Sequence, residues 1–462
     1  MTTIPNKMPH QTMRAAWTLT LAAIAPMLDS TMVNIAVKEL TQDFSTSLGT
    51  IQWAMTGYIL ALAVAVPVSG WLMNHFNGKK VLILAVIMFG LTSVLAGLSW
   101  RVEVFIFFRL LQGFSAGIIT PLMSTLLVKT AGPENIGKVI AIVTTPMIFG
   151  PIFGPVLGGF IIELTSWQWL FYINVAVVAV TVPLMMKNLP NFPAFDRESR
   201  LDSLGILLLA TMSIAFIFGV SKAADQASFT NPTTLIWLGL GFALMLAYII
   251  YDRHTTSQTV LPLTLFRYTT FKATSVGLFL ANIAIMGPML ILPLFFQNML
   301  ELTPIEAALA LMPQGLGMLI TRPYIGRMID KVGAKKVVLV SVILSIVGSL
   351  PLVFITSHTS LIWLSSLLFI RGMSVGGITI PLSSDAYTGL DEKELPQASV
   401  GVNVIENLGS GFGTALLATV VASVTVTNGT LSGFHAGFLV SVIILALISL
   451  PALFLTYKVQ LS

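Results

Sequence analysis

The 462-residue chain contains no cysteine. That excludes disulfides, thiolate metal centres and a cysteine nucleophile. Charge is scarce as well: Asp, Glu, Lys and Arg make up 9% of the residues, against about 25% in soluble domains. So few charges cannot cover a water-facing surface. None of His10, His75, His254, His358 and His435 lies deep in an apolar run, which argues against a histidine proton relay. The His-Glu-x-x-His signature is missing, and so is the phosphate loop Gly-x-x-x-x-Gly-Lys-[Ser/Thr]. A zinc protease and an ATP-driven pump are thereby disfavoured. The expectation is a protein that is not an enzyme and holds no metal or cofactor.

What is abundant is apolar: 55% of residues are hydrophobic, with a mean hydropathy of +0.90. Runs long enough to cross a bilayer recur along the whole length, which marks an integral membrane protein. No alternating strand-length segments of the outer-membrane barrel kind occur. The spans are therefore helices, because a helix satisfies its backbone hydrogen bonds internally. The first run follows Lys7 and Arg14, contains Asp29 and lacks a small-residue cleavage site, so it reads as a retained helix and not a signal peptide. Fourteen spans are expected, roughly over 15–36, 51–73, 80–99, 104–129, 137–163, 167–186, 203–221, 233–251, 271–296, 304–326, 336–356, 361–385, 396–424 and 433–456. The net charge of +5 points to membrane orientation and not to nucleic acid. With both termini cytoplasmic, nearly all lysines and arginines in the connections fall inside, and only Lys38, Arg101 and Lys222 fall outside.

The chain repeats itself. "GWLMNHFNGKKVLIL", Gly70–Leu84, returns as "GRMIDKVGAKKVVLV", Gly326–Val340, so that Gly70 matches Gly326, Asn74 matches Asp330 and Lys79 matches Lys335. "GFSAGIIT" at 113–120 returns as "GMSVGGIT" at 372–379. Two six-helix halves follow, over 1–190 and 266–462, with two extra helices inserted over 191–265. Repeats around a midplane site are the build of many secondary transporters.

Further motifs carry mechanism. In "FGPIFGPVLGGF", 149–160, Gly150, Gly154 and Gly158 share one helix face, and Gly159 follows. Small residues let another helix approach closely, while Pro151 and Pro155 remove backbone donors and allow a bend. Such a helix is suited to pivot between two states, and equally to static packing. "GSGFG" at 409–413 mimics a nucleotide loop, but it lies inside an apolar span and reads as helix packing. Arg109, in "RLLQG" near the outer end of the fourth span, should face a cavity or a partner; Arg371 in "LFIRGMS" has a similar setting.

Taken together these stretches resemble the fourteen-span drug:H⁺ antiporters of the major facilitator superfamily, the bacterial multidrug efflux type. "FGPIFGPVLGGF" resembles their antiporter motif, "RLLQG" their Arg-x-x-Gln-Gly motif, and the paired Gly-x-x-x-Asp loops their cytoplasmic signature. "LDSTMVNIAV" and "SWQWLFYINV" resemble their first- and sixth-helix motifs. The resemblance implies the major facilitator fold, an all-α membrane protein, and a role for Arg109 in proton relay. It also implies that the loop aspartate latches one conformation. The second loop keeps Gly326, Asp330, Lys331 and Gly333; the first departs from the pattern, with Asn74, His75, Asn77 and Gly78.

Most of the 19 acidic residues fall in connections. Asp29 does not: it lies ~21 Å into its span at 1.5 Å per residue. Glu406, in "VNVIENLGSGFG", lies ~15 Å into its own. Asp385 and Glu163 fall at span ends. Burial disfavours the charged form of a carboxylate, and intramembrane acids are functional by default. Asp29 and Glu406 are therefore expected to carry protons, bind substrate, or both, in one central cavity. Asn34, Gln52, Trp53, Tyr58, Asn282, Gln297, Gln314, Asn403 and Asn407 lie at depths where they could line it. The leading expectation is a proton-coupled exporter of amphipathic, cationic or zwitterionic drugs. It would sit in the cytoplasmic membrane and work as a monomer, with small molecules, protons and lipid as its partners. A carrier of one metabolite is the alternative, and a channel a third.

Overall fold

The computed structural model of the chain describes residues 10–33, 36–46, 48–131, 154, 157–195, 202–226, 228–255, 259–302, 304–356 and 358–456. Among these residues every regular element is helical. The first group comprises α1 (His10–Met32), the short α2 (Val37–Asp43), α3 (Leu48–His75), α4 (Gly78–Gly97), α5 (Val102–Ala131), a helical stretch over 157–164, and α6 (Trp169–Asn188). Two helices follow, α7 (Ser203–Asp225) and α8 (Pro232–His254). The last group is α9 (Thr269–Met299), α10 (Pro304–Val332), α11 (Ala334–Ser349), α12 (Leu361–Asp385), α13 (Leu395–Asn428), α14 (Thr430–Leu447) and the one-turn α15 (Ser449–Ala452).

Eleven of the described helices are long and apolar enough to cross a membrane. Outside that set stand α1, which carries Arg14 and Asp29, and α10, which carries Glu306, Arg322, Arg327, Asp330 and Lys331. Most of the fifth predicted span, 137–163, lies outside the described residues. Leu84, Leu91, Leu95, Ile236, Ile343 and Val347 are exposed on the outer surface, as expected of side chains that face lipid.

The two groups are built alike. A Cβ on Gly113 of α5 would lie 2.2 Å from the Tyr58 carbonyl oxygen of α3; one on Gly372 of α12 would lie 2.0 Å from that of Gln314 on α10. Both helix pairs thus cross with backbone against backbone, which only glycine permits. Gly409 and Gly413 do the same for α13 against Phe279 and Ile283 of α9, so "GSGFG" is a packing element. The repeated connections differ in one respect. Between α10 and α11 stands Gly333 alone, at φ +83°. Its counterpart Asn77 has φ −65°, a conformation that needs no glycine, and its side chain caps α4 by accepting from the Lys80 amide at 3.2 Å. The first loop departs from the glycine pattern because its cap is made by a side chain.

Lys79 at the start of α4, Lys129 at the end of α5, Lys335 at the start of α11 and Glu392 just before α13 mark the connections here termed the basic end. There the groups meet: Lys129 pairs with Glu392 at 3.2 Å, Ser399 of α13 donates to the Pro121 carbonyl of α5 at 3.0 Å, and Gly70 of α3 receives Val400. The helix α7 packs against both α3 and α13. Its leading residue Asp202 accepts from the Gly205 and Val260 amides and the Tyr251 hydroxyl. That ties α7, α8 and the segment entering α9 into one knot.

Candidate functional site

Four helices converge on the Asp29 carboxylate, which is fully buried. Oδ2 pairs with Arg109 Nη1 of α5. Oδ1 accepts from Gln112 Nε2, one turn along α5, at 3.0 Å, and from Asn174 Nδ2 of α6 at 2.9 Å. Gln112 spans the cluster: its Oε1 accepts from Arg109 at 2.5 Å, and its Nε2 also donates to Ser93 Oγ of α4 at 2.7 Å. Tyr58 lies under the guanidinium, 4.3 Å from ring centroid to Cζ, and Phe171 beside it at 5.8 Å. The Tyr58 hydroxyl donates to the Pro26 carbonyl at 3.4 Å. Arg109 and Gln112 share a helix face because they are three residues apart. A buried pair of this kind is held by its extra hydrogen bonds, since desolvation offsets much of the Coulombic gain. Among the described residues Arg109 Nε and Asn174 Oδ1 are left without a partner.

The glycine-proline motif touches the same place. A Cβ on Gly154 would lie 2.0 Å from Thr31 Oγ1, and one on Gly158 would lie 3.2 Å from the Met32 carbonyl, both on α1 just past Asp29. A Cβ on Gly159 would meet nothing within 4 Å among the described residues. Gly150, Pro151, Pro155 and Asn34 lie outside the described residues, as does the Gln52 side chain.

The last group holds a counterpart without an acid. Arg371 is 1% exposed. It donates from Nη1 to Gln314 Oε1 and from Nη2 to the Ala284 carbonyl, both at 3.0 Å. Ala284 is free to accept because Pro288, four residues on, has no amide hydrogen to offer it. Ser441 of α14 donates to the same carbonyl at 3.3 Å.

Glu406 lies elsewhere, on α13, where its Oε1 accepts from Ser383 Oγ of α12 at 3.3 Å. Among the described residues no hydrogen bond or ion pair joins it to Asp29. Asn282 accepts from Ser410 at 3.2 Å. Asn403 donates to the Ser399 carbonyl of its own helix at 2.8 Å. Gln297 is half-buried near the far end of α9, and Asn407 half-buried on α13. Trp53 is 51% exposed and stacks on Phe218 of α7. Gly70 and Gly326 are buried, and Asp330 is half-buried in the last turn of α10. Asp385 accepts from both the amide and the hydroxyl of Thr456, which fastens the chain's last described residue to α12; Glu163 is exposed.

Sequence reasoning did not single out Ser93 and Asn174, and it held Gln112 only as part of a motif. The available signal was an amide in an apolar run, "FYINV", and serines in such runs are too common to rank. Two further stretches, Gly113–Gly117 and Gly372–Gly376, spell Gly-x-Ser-x-Gly. Both lie inside continuous helices. Ser115 and Ser374 donate to the Leu111 and Arg371 carbonyls of their own helices, so neither is a nucleophile on a strand-to-helix turn.

The arrangement matches known proteins. A relative from Mycobacterium tuberculosis, the Multidrug resistance protein B homolog, is 30% identical over 419 residues, covering 90% of this chain and 77% of its own. The Multidrug export protein EmrB of Haemophilus influenzae is 27% identical over 400 residues, covering 86% and 78%. Among solved structures, the human organic anion transporter MFSD10 (TETRAN) superposes with a TM-score of 0.66 at 13% identity, over 95% of this chain and 100% of that one. The sequence profile of the Major Facilitator Superfamily matches residues 19–414 and again 274–460, the second match falling on the repeated half. The chain is a member of the major facilitator superfamily.

Proposed function

We propose that the protein is a proton-coupled exporter of chemically varied amphipathic compounds, cationic or zwitterionic, working by alternating access in the cytoplasmic membrane. The observation that carries this reading is the Asp29 cluster. A carboxylate buried in apolar helices has one charged partner, Arg109, and lies beside the close contact of Gly154 with α1. Protonating Asp29 neutralises its side of the pair and releases Arg109. That changes the packing of α1 against α5 and against the glycine-proline helix. Access alternates as this helix shifts, with Gly150, Pro151, Gly154, Pro155, Gly158 and Gly159 as its pivot and the loop residues Gly70, Gly326 and Asp330 holding the basic end. Glu406 takes the cationic end of the substrate. Asn34, Gln52, Trp53, Tyr58, Asn282, Gln297, Gln314 and Asn403 are the further residues assigned to substrate binding.

The names of the two relatives, multidrug resistance and multidrug export, support the substrate range and the outward direction. Fourteen spans, two six-helix bundles with α7 and α8 inserted, cytoplasmic termini and a monomeric unit complete the reading. The basic end is then cytoplasmic, in keeping with the positive-inside rule.

The test is transport in proteoliposomes under an imposed pH gradient, with a small panel of cationic, zwitterionic and neutral compounds. Saturable uptake driven by the gradient for several members, lost in Asp29→Asn, is expected. Uptake of one compound alone would replace this reading with a carrier of one metabolite. Flux independent of the gradient would remove proton coupling.

A further inference from the structure

A third buried arginine has been given no role. Arg322 on α10 is 4% exposed, and its Nε and Nη1 have no hydrogen-bond partner among the described residues. The ion pairs among the described residues are Arg109 with Asp29 and Lys129 with Glu392, so Arg322 has no acidic partner there. Arg109 has an acidic partner and Arg371 two hydrogen-bond acceptors for its guanidinium; among the described residues Arg322 has neither. It stands ten residues before the end of α10, ~15 Å along the helix from the basic end at 1.5 Å per residue. An unpaired charge at such depth is costly and is kept where it meets an opposite charge in use.

Packing does not require it. By the register that aligns Gly70 with Gly326, Arg322 corresponds to Val66, an apolar residue that is 1% exposed in the first half. The same fold position therefore accepts an aliphatic side chain. Room for the guanidinium is provided by Gly376 of α12, where a Cβ would lie 3.2 Å from Arg322 Cγ and 3.7 Å from Nε.

The neighbourhood supplies the second pole. Ser383, which donates to Glu406, lies seven residues after Gly376 and so on the same face of α12. One helix face thus touches an unpaired arginine and, about 10 Å further along the axis at 1.5 Å per residue, a carboxylate. We propose that Arg322 binds the anionic group of the transported molecule, a carboxylate held by the guanidinium fork, while Glu406 takes the cationic end. The preferred substrates are then amphipathic zwitterions. This rests on the export function proposed above.

The test uses a matched dye pair: tetramethylrhodamine, a zwitterion with a free carboxylate, and its methyl ester, a cation. Binding of each to the purified, detergent-solubilised protein is read by fluorescence anisotropy, and transport of each in proteoliposomes. The wild type is expected to bind the acid more tightly than the ester. Arg322→Gln should weaken acid binding about tenfold or more, the size of losing a charge-assisted hydrogen bond, and leave ester binding within about twofold. Arg322→Lys should fall between, keeping the charge without the fork. Arg322→Val, which copies the first half, should unfold at or above the wild-type temperature. A wild type that binds the two dyes equally overturns the proposal even if both are exported. Preferential acid binding without gradient-driven export would instead overturn the export reading and leave Arg322 as an anion site. Equal loss of both dyes in Arg322→Gln, or a lower melting temperature in Arg322→Val, would assign the guanidinium an internal structural partner and also overturn it.

Discussion

Lys79 and Lys335 occupy equivalent positions in the two halves and do the same work. Lys79 Nζ donates to the Met186 and Leu189 carbonyls at the end of α6, at 2.8 and 2.7 Å. Lys335 Nζ donates to the Leu453 carbonyl just past α15 at 2.8 Å. In each half a lysine at the start of the third long helix caps carbonyls where the half's last helical turn ends, at the end of α6 in the first and just past the one-turn α15 in the second, where carbonyls lack partners and the helix dipole is negative. Lys79→Met and Lys335→Met should each lower stability by about 0.3–1 kcal/mol. The double variant should lose the sum, because the sites share no partner. Thermal unfolding in detergent, followed by tryptophan fluorescence, reads the effect; loss in one half only would break the equivalence.

Breaking the Asp29–Arg109 pair from one side leaves an uncompensated buried charge. Asp29→Ala and Arg109→Ala should each destabilise by about 3–5 kcal/mol, and the double variant Asp29→Leu/Arg109→Met by much less. Asp29→Asn keeps an acceptor for Gln112 and Asn174 but leaves Arg109 unpaired, so it should destabilise by less than Asp29→Ala while abolishing drug-driven proton movement. A double-mutant cycle on unfolding, run beside the flux assay, separates the two roles. Wild-type coupling in Asp29→Asn would assign the carboxylate to structure alone.

Pro288 and Arg371 should be energetically coupled. In Pro288→Ala the new amide would donate to the Ala284 carbonyl, which already accepts from Arg371 and Ser441. A carbonyl oxygen has two lone pairs, so three donors compete. Pro288→Ala should therefore gain little of the ~3 kcal/mol by which alanine exceeds proline in a helix. Arg371→Gln should cost less in that background than in the wild type, by roughly 0.5–3 kcal/mol of coupling. Strict additivity would mean that the carbonyl is not a shared acceptor.

At Gly154 any side chain meets α1. Gly154→Ala should cost about 1–3 kcal/mol by overpacking against Thr31 and lower export further than it lowers the folded amount. Thr31→Ala, which removes the nearest atom, should restore part of both. Gly159→Ala is the comparison on the same motif, because its Cβ would meet nothing within 4 Å among the described residues. Equal harm at positions 154 and 159 would mean that the motif acts through helix propensity and not through contact.

Helix positions and the internal repeat were legible in the sequence because both follow from composition and local pattern. The first helix is expected over 15–36 and observed over His10–Met32, with the chain then turning into the separate α2. Asp29 stood out as a lone charge in an apolar run, but its union with Asn174 depends on contacts 145 residues apart, which no local spacing encodes. Depth alone does not set side-chain direction. Trp53 has the depth of a cavity residue, yet it faces Phe218 of α7. Gln314 also has the depth, yet it is spent on Arg371. Rotation about the helix axis is set by the neighbouring helices, and these become visible only when the bundle is assembled.

Because α7 lies across α3 and α13 at once, the inserted pair has a thermodynamic standing of its own. Rings from three elements meet there: Phe216 of α7 with Phe412 of α13 at 5.9 Å, and Phe218 of α7 with Trp53 of α3 at 6.4 Å. Any relative rotation of the halves must slide at least one of these surfaces, so the free energy of that contact enters the equilibrium constant between conformers. It does so without touching the Asp29 cluster. A change at Phe216 would therefore rescale the apparent affinity of any ligand that prefers one conformer, through the population of the competent state, with its intrinsic site intact.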